Sequence, residues 1–453
     1  MKAVNLGSGP YHFKSILSCR IEKTVNSHFR AEVSGYTADS VEEALRISEQ
    51  KEPFVIYAEE EGEKRSIFRG KVRGLHIRAE GDLKIVTVRA ESNTCLLDGE
   101  RHIRAFQDPD WTYRDIVRSI AGKEKASVIY YAGKSGRTGG LTVQYEESDW
   151  EFLKRLAARA GTVLTPDCTN DSICFYFGIP DQKEKAAAGP GESPEVSVID
   201  ADGPGKRILE FRLVSREIWE LCTPVEVMGT EALVYSIQGR LEGEEMIWDY
   251  RLRRPADFEP GEAYNARITG ASLFGRVTDT RREFIRLKLE CGDECTPGNA
   301  VWYPFATVYT SPDGNGWYFM PEKGERARLC FPDKKEKHAY AVNSAWLEDA
   351  PGRKNDPDVK FIRTSSGKEI RLAPDSVLLT NHKGMSVRID DKKGSEIRSR
   401  ENIDLNAEEG ITLSSGGSLK MDSESGIVMN QGGNSITIRD GICVNGTRVR
   451  LRR

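Results

Sequence analysis

The sequence predicts a mainly β, multidomain protein: an α+β region with β-barrel subdomains, an OB-fold barrel, and a C-terminal intertwined trimeric β-helix built on an octad repeat. Three observations predict this. Alternating strands and three capped helices share residues 1–265, about five strands follow in 266–350, and apolar pairs recur every eight residues from 387 onward. A polar linker is expected at 351–360, so that the repeat occupies 361–453.

Composition and charge argue against several classes of function. The 453 residues are 38% hydrophobic and 30% charged, and the net charge of −4 comes from charges of both signs. We therefore expect no nucleic-acid partner. The opening MKAVNLGSGPYHFKSIL lacks the apolar core of a signal peptide, and no apolar run has the length of a membrane helix. Nine scattered cysteines favour free thiols over a disulfide framework.

The first region combines a meander with helices. Residues 54–92 alternate apolar and polar side chains around two turns, which predicts antiparallel strands. We expect three helices, which begin at the N-cap residues Ser40, Thr112 and Ser148. Glu151 completes a capping box with Ser148. One face of the third helix is apolar and predicts packing on a sheet; it carries Trp150, Leu153, Leu156, Ala157 and Ala160.

Residues 266–350 are predicted to be entirely β. Five short strands within this length fit a small barrel, for which the OB-fold is the leading candidate. Trp302, Trp317 and Tyr318 suggest a stacking surface for bases or sugars, but no basic stripe accompanies them. Aromatic residues of a core or an interface are the favoured interpretation.

The C-terminal segment repeats with a period of eight. Apolar residues two positions apart share one face of a strand. A third column of Gly, Asn and Ser marks a corner once per unit, since Gly and Asn tolerate left-handed backbone angles. The corner column is Gly394, Asn402, Gly410, Ser418, Gly426 and Asn434. The residues expected in the core of the repeat are Val387, Ile389, Ile397, Ile403, Leu405, Ile411, Leu413, Leu419, Met421, Ile427 and Met429.

The period has a consequence for assembly. Eight residues are too few for one chain to build a many-sided coil around its own core, so three chains wound about one axis are the economical solution. We therefore expect an obligate homotrimer. A two-sided solenoid of one chain stays open as the alternative. The basic ending VNGTRVRLRR fits a docking end for another protein or a solvated terminus equally well.

Several stretches, in this order, resemble one family. VQYEESDWEFLKRLAARAG (143 to 161) is similar to the "Q-Y-x-E-S-D-x-x-F-L-x-R-L" stretch of the phage late-control protein D domain. TYRDIVRSIA (112 to 121) and FRGKV (68 to 72) also fit that hub domain, and WYFMPEKGERARLCF (317 to 331) resembles the end of the family's OB domain. The chain thus resembles the VgrG-like hub-and-spike proteins of contractile injection systems: myophage tails, R-type bacteriocins and type VI secretion.

The resemblance implies a structural role. The family's hub joins the tail tube to a spike that pierces the target envelope when a sheath contracts. The implied partners are two further copies of the chain, tail tube and baseplate proteins, a separate PAAR-like tip protein and, transiently, the envelope. The implied location is assembly in the bacterial cytoplasm, followed by incorporation into a tail or injection particle.

The chain departs from some members of the family. The short stretch 349–360 leaves no room for a lysozyme domain after the barrel, and no toxin domain follows the repeat. No histidine follows His382, so the His-x-His iron site of some spikes is not expected. We expect no catalytic residues, no cofactor and no metal ligands.

Two alternative functions are consistent with some features of the sequence. A β-helical tailspike that binds or cleaves surface polysaccharide would use paired carboxylates on a groove. An adhesive module would use the aromatic residues between Trp302 and Tyr318. The acids of the repeat lie among Lys, Arg and Ser, as on a solvated face; they are Asp390, Asp404, Glu408, Glu409, Asp422 and Glu424.

Overall fold

The computed structural model describes the chain except residues 1–4, 38, 50–51, 61–62, 82, 131–135, 183–184, 190, 201–206, 259, 262, 293–299, 310, 312, 314, 344–355 and 451–453. Of the described residues, 49% lie in strands and 12% in helices, so this part of the chain is mainly β, as the sequence predicts. Contacts divide it into two compact units, Met1–Trp346 and Leu347–Arg453. Half of the predicted linker, 351–355, lies outside the described residues.

The first unit holds three α-helices among its described residues: α1 (Val41–Glu49), α2 (Tyr113–Lys123) and α3 (Asp149–Arg159). Its strands are β1 (Asn5–Gly9), β2 (Phe13–Thr24), β3 (Arg30–Thr37), β4 (Phe54–Glu60), β5 (Glu63–Glu80), β6 (Leu83–Glu91), β7 (Arg101–Phe106), β8 (Ser127–Tyr130), β9 (Thr142–Ser148), β10 (Leu164–Asp167), β11 (Cys174–Phe177), β12 (Ala186–Ala187), β13 (Glu195–Asp200), β14 (Arg207–Ser215), β15 (Pro224–Val227), β16 (Thr230–Glu242), β17 (Glu245–Arg253), β18 (Ser272–Arg281), β19 (Phe284–Leu289), β20 (Trp302–Pro304), β21 (Arg326–Cys330) and β22 (Tyr340–Asn343).

A twelve-stranded sheet is the largest element of this unit. Its main order is β1-β4-β5-β6-β3-β2-β16-β17-β14-β13, with β12 and β15 attached beside β16. The predicted meander is confirmed, because β4 pairs with the first half of β5, and β6 pairs with the second half, both antiparallel. Alternate side chains of these strands form one core, in which Val33, Phe54, Phe68 and Val88 are fully buried.

The helices α2 and α3 pack over a small sheet of order β10-β11-β8. Both begin at a capping box, with Thr112 and Asp115 for α2 and with Ser148 and Glu151 for α3. The apolar face predicted for α3 is buried, and Trp150 lies edge-on to Phe175 in the shared core. Local capping rules thus located both helices correctly.

Replacing Ser148 with alanine should lower the free energy of unfolding by about 1 kcal/mol, the usual cost of losing an N-cap. Its hydroxyl accepts the Glu151 N–H at 3.0 Å and donates to the Asp98 carboxylate, and the Glu151 carboxylate accepts the Ser148 N–H at 3.1 Å. Urea unfolding followed by tryptophan fluorescence measures the change. The control is Ser48→Ala in the last turn of α1, whose hydroxyl donates only to the Leu45 carbonyl. Equal losses in the two variants would contradict the capping argument.

The strands β18 to β22 form a five-stranded sheet of order β20-β19-β18-β21-β22. A parallel bridge between Phe305 and Ala341 joins the two edges, so the sheet closes on itself. Trp317 and Tyr318 are 53% and 66% exposed. They are therefore not core residues, contrary to one of the interpretations favoured from the sequence. Trp302 is half-buried under the Arg286 guanidinium.

This closed sheet shares its core with the preceding region. Ala105 and Val143, from β7 and β9, are buried among its apolar residues. The buried Gln107 side chain donates to the Leu287 carbonyl at 2.7 Å and accepts the Leu289 N–H at 2.8 Å. The first 346 residues therefore pack as one unit, and a domain boundary at 265/266 stays a prediction.

A buried ion cluster lies at the same junction. The Arg155 guanidinium, 4% exposed, donates to Glu147 at 2.6 Å and to Glu336 at 3.0 Å. Arg159 is a second partner of Glu336, at 2.5 Å. The cluster thereby links α3 to the turn that precedes β22.

The second unit is β-rich and contains no described α-helix. Its strands are β23 (Lys360–Arg363), β24 (Glu369–Ala373), β25 (Ser376–Thr380), β26 (Ser386–Asp390), β27 (Gly394–Arg398), β28 (Ile427–Gln431), β29 (Asn434–Ile438) and β30 (Ile442–Asn445). The first five form an antiparallel meander, and the last three form another. Among the described helices of both units, none has the length and apolar character that crossing a bilayer requires.

Candidate assembly surface

One face of the five-stranded meander carries an exposed apolar row. Pairing places one residue of each strand in register with the next, from β23 to β27. These residues are between 40% and 60% exposed. The row consists of Ile362, Ile370, Leu379, Val387 and Ile397.

A second row runs beside the first on the same face. Leu372, Val377 and Ile389 are paired across β24, β25 and β26, and they are 50%, 41% and 54% exposed. We call the two rows together the apolar face. A groove of about 540 Å³ runs along the first row and is lined mainly by apolar atoms. Soluble chains seldom leave such a continuous apolar surface in water, so the apolar face calls for a covering partner.

The opposite face of the meander is polar and more protected. The Glu369 carboxylate is 0% exposed and accepts hydrogen bonds from His382 and Arg371, both at 2.6 Å. Burial alone would raise the pKa of Glu369, but these donors outweigh burial and hold its pKa below the ordinary value. The single chain therefore buries the Glu369 carboxylate and leaves the apolar face exposed.

The depressed pKa of Glu369 predicts acid sensitivity. A folded-state pKa below the unfolded value of about 4.3 contributes stability above that pH, and the contribution is lost as pH falls through the folded pKa. We expect Glu369→Gln to be less stable than the unmodified chain at neutral pH, with a difference that shrinks below about pH 4.3. Unfolding midpoints measured from pH 7 to pH 3 test this. Glu396→Gln, at an exposed ion pair on β27, is the control. A gap that stays constant with pH would contradict the prediction.

Residues 401–426 form no strand, although they contain six of the residues predicted for the core of the repeat. All six are exposed by 47% to 65%; they are Ile403, Leu405, Ile411, Leu413, Leu419 and Met421. The remaining two, Ile427 and Met429, lie on β28, where Met429 pairs with Ile436. The structure thus brings together Val387, Ile389 and Ile397 but not the other eight.

Two residues of the predicted corner column adopt the backbone conformation expected of a corner. Gly394 and Gly426 have φ values of 82° and 126°, in the region that glycine tolerates best.

The repeat did not predict five residues of the apolar face: Ile362, Ile370, Leu372, Val377 and Leu379. The signal that could have found them is the simple alternation in KFIR, EIRLA and SVLLT, which places their apolar residues on one side of each strand.

One hydrogen-bonded chain in the first unit has the order of a nucleophile, a base and a carboxylate. Thr94 Oγ1 lies 2.9 Å from His28 Nδ1, and His28 Nε2 lies 2.8 Å from Asp98 Oδ2. The Thr94 side chain is fully buried, and the His28 ring stacks on Trp150. A substrate has no access to the hydroxyl, so these contacts hold the short helix Asn93–Asp98 against α3.

Two acids of the repeat, Asp390 and Asp422, lie beside cations. The backbone N–H groups of Lys393 and Lys392 hold the pKa of Asp390 below its ordinary value, and Arg388 pairs with it at 2.8 Å. Asp422 pairs with Lys420 at 2.7 Å. A general acid of a glycoside hydrolase needs a raised pKa instead.

Comparison with known proteins identifies similarity in both sequence and fold. The sequence model of the phage tail baseplate hub family matches residues 24–171, about a third of the chain. No curated protein matches the chain.

Two solved structures have a similar fold. A chain of the half-lidded Francisella PdpA–VgrG complex matches with a TM-score of 0.57 and 9% identity, over 88% of this chain and 88% of that chain. The E. coli c3393 protein, a component of the type VI secretion system described as structurally similar to the T4 bacteriophage tail proteins gp27 and gp5, matches with a TM-score of 0.50. Its identity is 14%, over 74% of this chain and 98% of that chain. At such identities the likeness concerns the fold.

Proposed function

We propose that this chain, which resembles the phage tail baseplate hub and VgrG-like proteins as its sequence predicted, is both the hub and the central spike of a contractile injection machine. The resemblance to the hub family supports a structural role in a tail baseplate. The finer assignment is that the first unit joins the tail tube to the spike, that the second unit is the spike, and that the spike pierces the target envelope.

The apolar face is the observation that carries the spike assignment. Its eight residues are 40% to 60% exposed in the single chain, while the ionic face is protected. Burying apolar surface stabilises an assembly by about 25 cal/mol per Å². Covering the apolar face with copies of itself therefore supplies the core that one chain lacks.

The assembly is a homotrimer. Residues 401–426 pair with no other described strand, so their backbone groups are available to strands of other chains. This argues against the two-sided solenoid of one chain. Three chains, each contributing one short strand per layer, would bring the columns around Leu413 onto a common axis. The result would be the predicted intertwined β-helix.

The closed five-stranded sheet serves as a collar of the OB type. Its strands succeed one another around the ring as β18-β19-β20-β22-β21, closed by the Phe305–Ala341 bridge. A five-stranded Greek-key barrel of this kind is the OB-fold. The buried Arg155–Glu336 contact makes the collar continuous with α3, which suits the transmission of axial force.

The proposed partners follow from the role. Besides two further copies, they are tail tube and baseplate proteins, a PAAR-like tip protein and, during injection, the target envelope, with no nucleic acid. The chain is assembled in the bacterial cytoplasm and then becomes part of a phage tail or injection particle. The role requires no catalysis. The tailspike that cleaves polysaccharide is disfavoured, since two acids of the repeat, Asp390 and Asp422, are paired with neighbouring cations.

Light scattering on the purified full chain tests the assembly. We expect three chains per particle. A stable monomer would overturn the homotrimer. Release of sugar from a surface polysaccharide by the same preparation would overturn the purely structural role.

A further inference from the structure

Three side chains with metal-binding chemistry meet in the first unit, apart from the apolar face. His102, Glu124 and Asp149 each offer one ligand atom, and these atoms lie within 4.8 Å of one another. Among the described residues, this is the one group of three such side chains so arranged. An imidazole with two carboxylates is a ligand set that Zn²⁺ binds readily.

The topology explains the convergence. Strand β7 pairs antiparallel with β9, which places His102 opposite Glu147, two residues before Asp149. Asp149 is the first residue of α3, and its position is fixed by the capping box that precedes it. Glu124 is the residue that ends α2. Three separate elements therefore meet at this point.

The hydrogen bonds of Asp149 orient its carboxylate toward this point. Its side chain is 2% exposed. Arg104 Nη1 at 2.7 Å and Gln144 Nε2 at 2.8 Å both donate to Oδ1. Oδ2 faces His102 Nε2 at 3.8 Å, too far for a hydrogen bond. A buried carboxylate oxygen thus faces an imidazole nitrogen across a gap without a direct bond.

The distance between Asp149 Oδ2 and His102 Nε2 is close to the separation of two ligand atoms bound to one ion. Bonds of about 2.0–2.2 Å to Zn²⁺ in tetrahedral geometry hold ligand atoms about 3.3–3.6 Å apart. The pair His102 and Asp149 needs only a small closure to reach that separation. Glu124 is half-buried at the end of a helix, where its side chain has freedom to complete the set.

We propose that His102, Glu124 and Asp149 bind one Zn²⁺ ion per chain, with water as the fourth ligand. The two carboxylates supply two negative charges, one of which the adjacent Arg104 guanidinium offsets, and Arg104 and Gln144 orient the buried ligand through their hydrogen bonds to Oδ1. The ion would tie β7, α2 and α3 together and thereby stabilise the first unit. This departs from the expectation of no metal, which considered closely spaced ligands and the end of the spike.

Titration of the chelator-treated full chain with Zn²⁺ in a calorimeter tests the proposal. We expect one ion per chain and a raised melting temperature. His102→Asn and Glu124→Gln should each weaken binding at least tenfold, and neither should melt higher when Zn²⁺ is added. The matched control is His76→Asn, an exposed histidine of β5, which should bind as the unmodified chain does.

Two results would overturn the site. One is the absence of binding by the unmodified chain, which would leave His102 and Asp149 as an ordinary ion pair. The other is unchanged binding by both variants, which would place the ion elsewhere. Titration with Co²⁺ provides a second readout, because an intense thiolate-to-cobalt absorption would assign the ion to cysteines. Light scattering on the same samples keeps a failure of this site separate from a failure of the trimer.

Discussion

Replacing Leu413 with aspartate should convert the trimer into monomers. In the proposed spike, three copies of residue 413 meet in one layer, so the change places three unpaired carboxylates in an apolar core. The cost is several kcal/mol per charge, which exceeds what one layer contributes to assembly. Light scattering on the full chain should give the mass of one chain instead of three.

Ser414→Asp is the matched control for this variant. It adds the same charge one residue away, on the alternate side of the extended chain, where the repeat has polar residues. We expect it to remain a trimer. A Leu413→Asp protein that stays trimeric, or a Ser414→Asp protein that dissociates equally, would contradict the placement of the apolar columns at the axis.

Replacing Arg155 with methionine should destabilise the first unit by about 3–5 kcal/mol, the cost of leaving the buried Glu147 carboxylate without its cation, while Glu336 keeps Arg159 as a partner. Glu147 and Glu336 are both about 6% exposed and share this guanidinium. Methionine preserves most of the apolar length of the side chain, so the loss reports on charge. Urea unfolding followed by tryptophan fluorescence measures it.

Arg267→Met provides the comparison. Arg267 pairs with Glu151 at 3.0 Å, but its side chain is 38% exposed, and exposed pairs contribute at most about 1 kcal/mol. Similar losses in the two variants would mean that burial does not set the energetics of the Arg155 cluster. A large loss for Arg155→Met alone would support a rigid connection between α3 and the closed sheet.

Local sequence rules predicted several helices and strands of the first unit correctly. The capping boxes at Thr112 and Ser148 marked the starts of α2 and α3, because a cap depends on residues only three positions apart. The alternation within 54–92 predicted β4, β5 and β6 for the same reason. The core interpretation of Trp317 and Tyr318 was wrong, since burial depends on what packs around a loop, and the interface interpretation stays a prediction.

The candidate surface was predicted in part. The eight-residue period identified Val387, Ile389 and Ile397 as sharing a face, and the structure places them on the apolar face. The predicted columns began at Val387 and so omitted Leu379, although it lies eight residues earlier. Ile370 lies nine residues before Leu379, so the period does not reach it, and only the alternation within each strand places it on the apolar face. The trimer axis itself stays a prediction, since it exists only between chains.

By itself, the sequence determined the β-rich composition, the caps, the repeat and the resemblance to baseplate hubs, all of which depend on neighbouring residues or on contiguous motifs. Only the tertiary structure decided which distant residues meet. It brought Arg155 to Glu336, Phe305 to Ala341, and His102 to Asp149. The physical reason is that strand register and the packing of α3 set these distances, and both arise from many weak contacts summed over the whole unit.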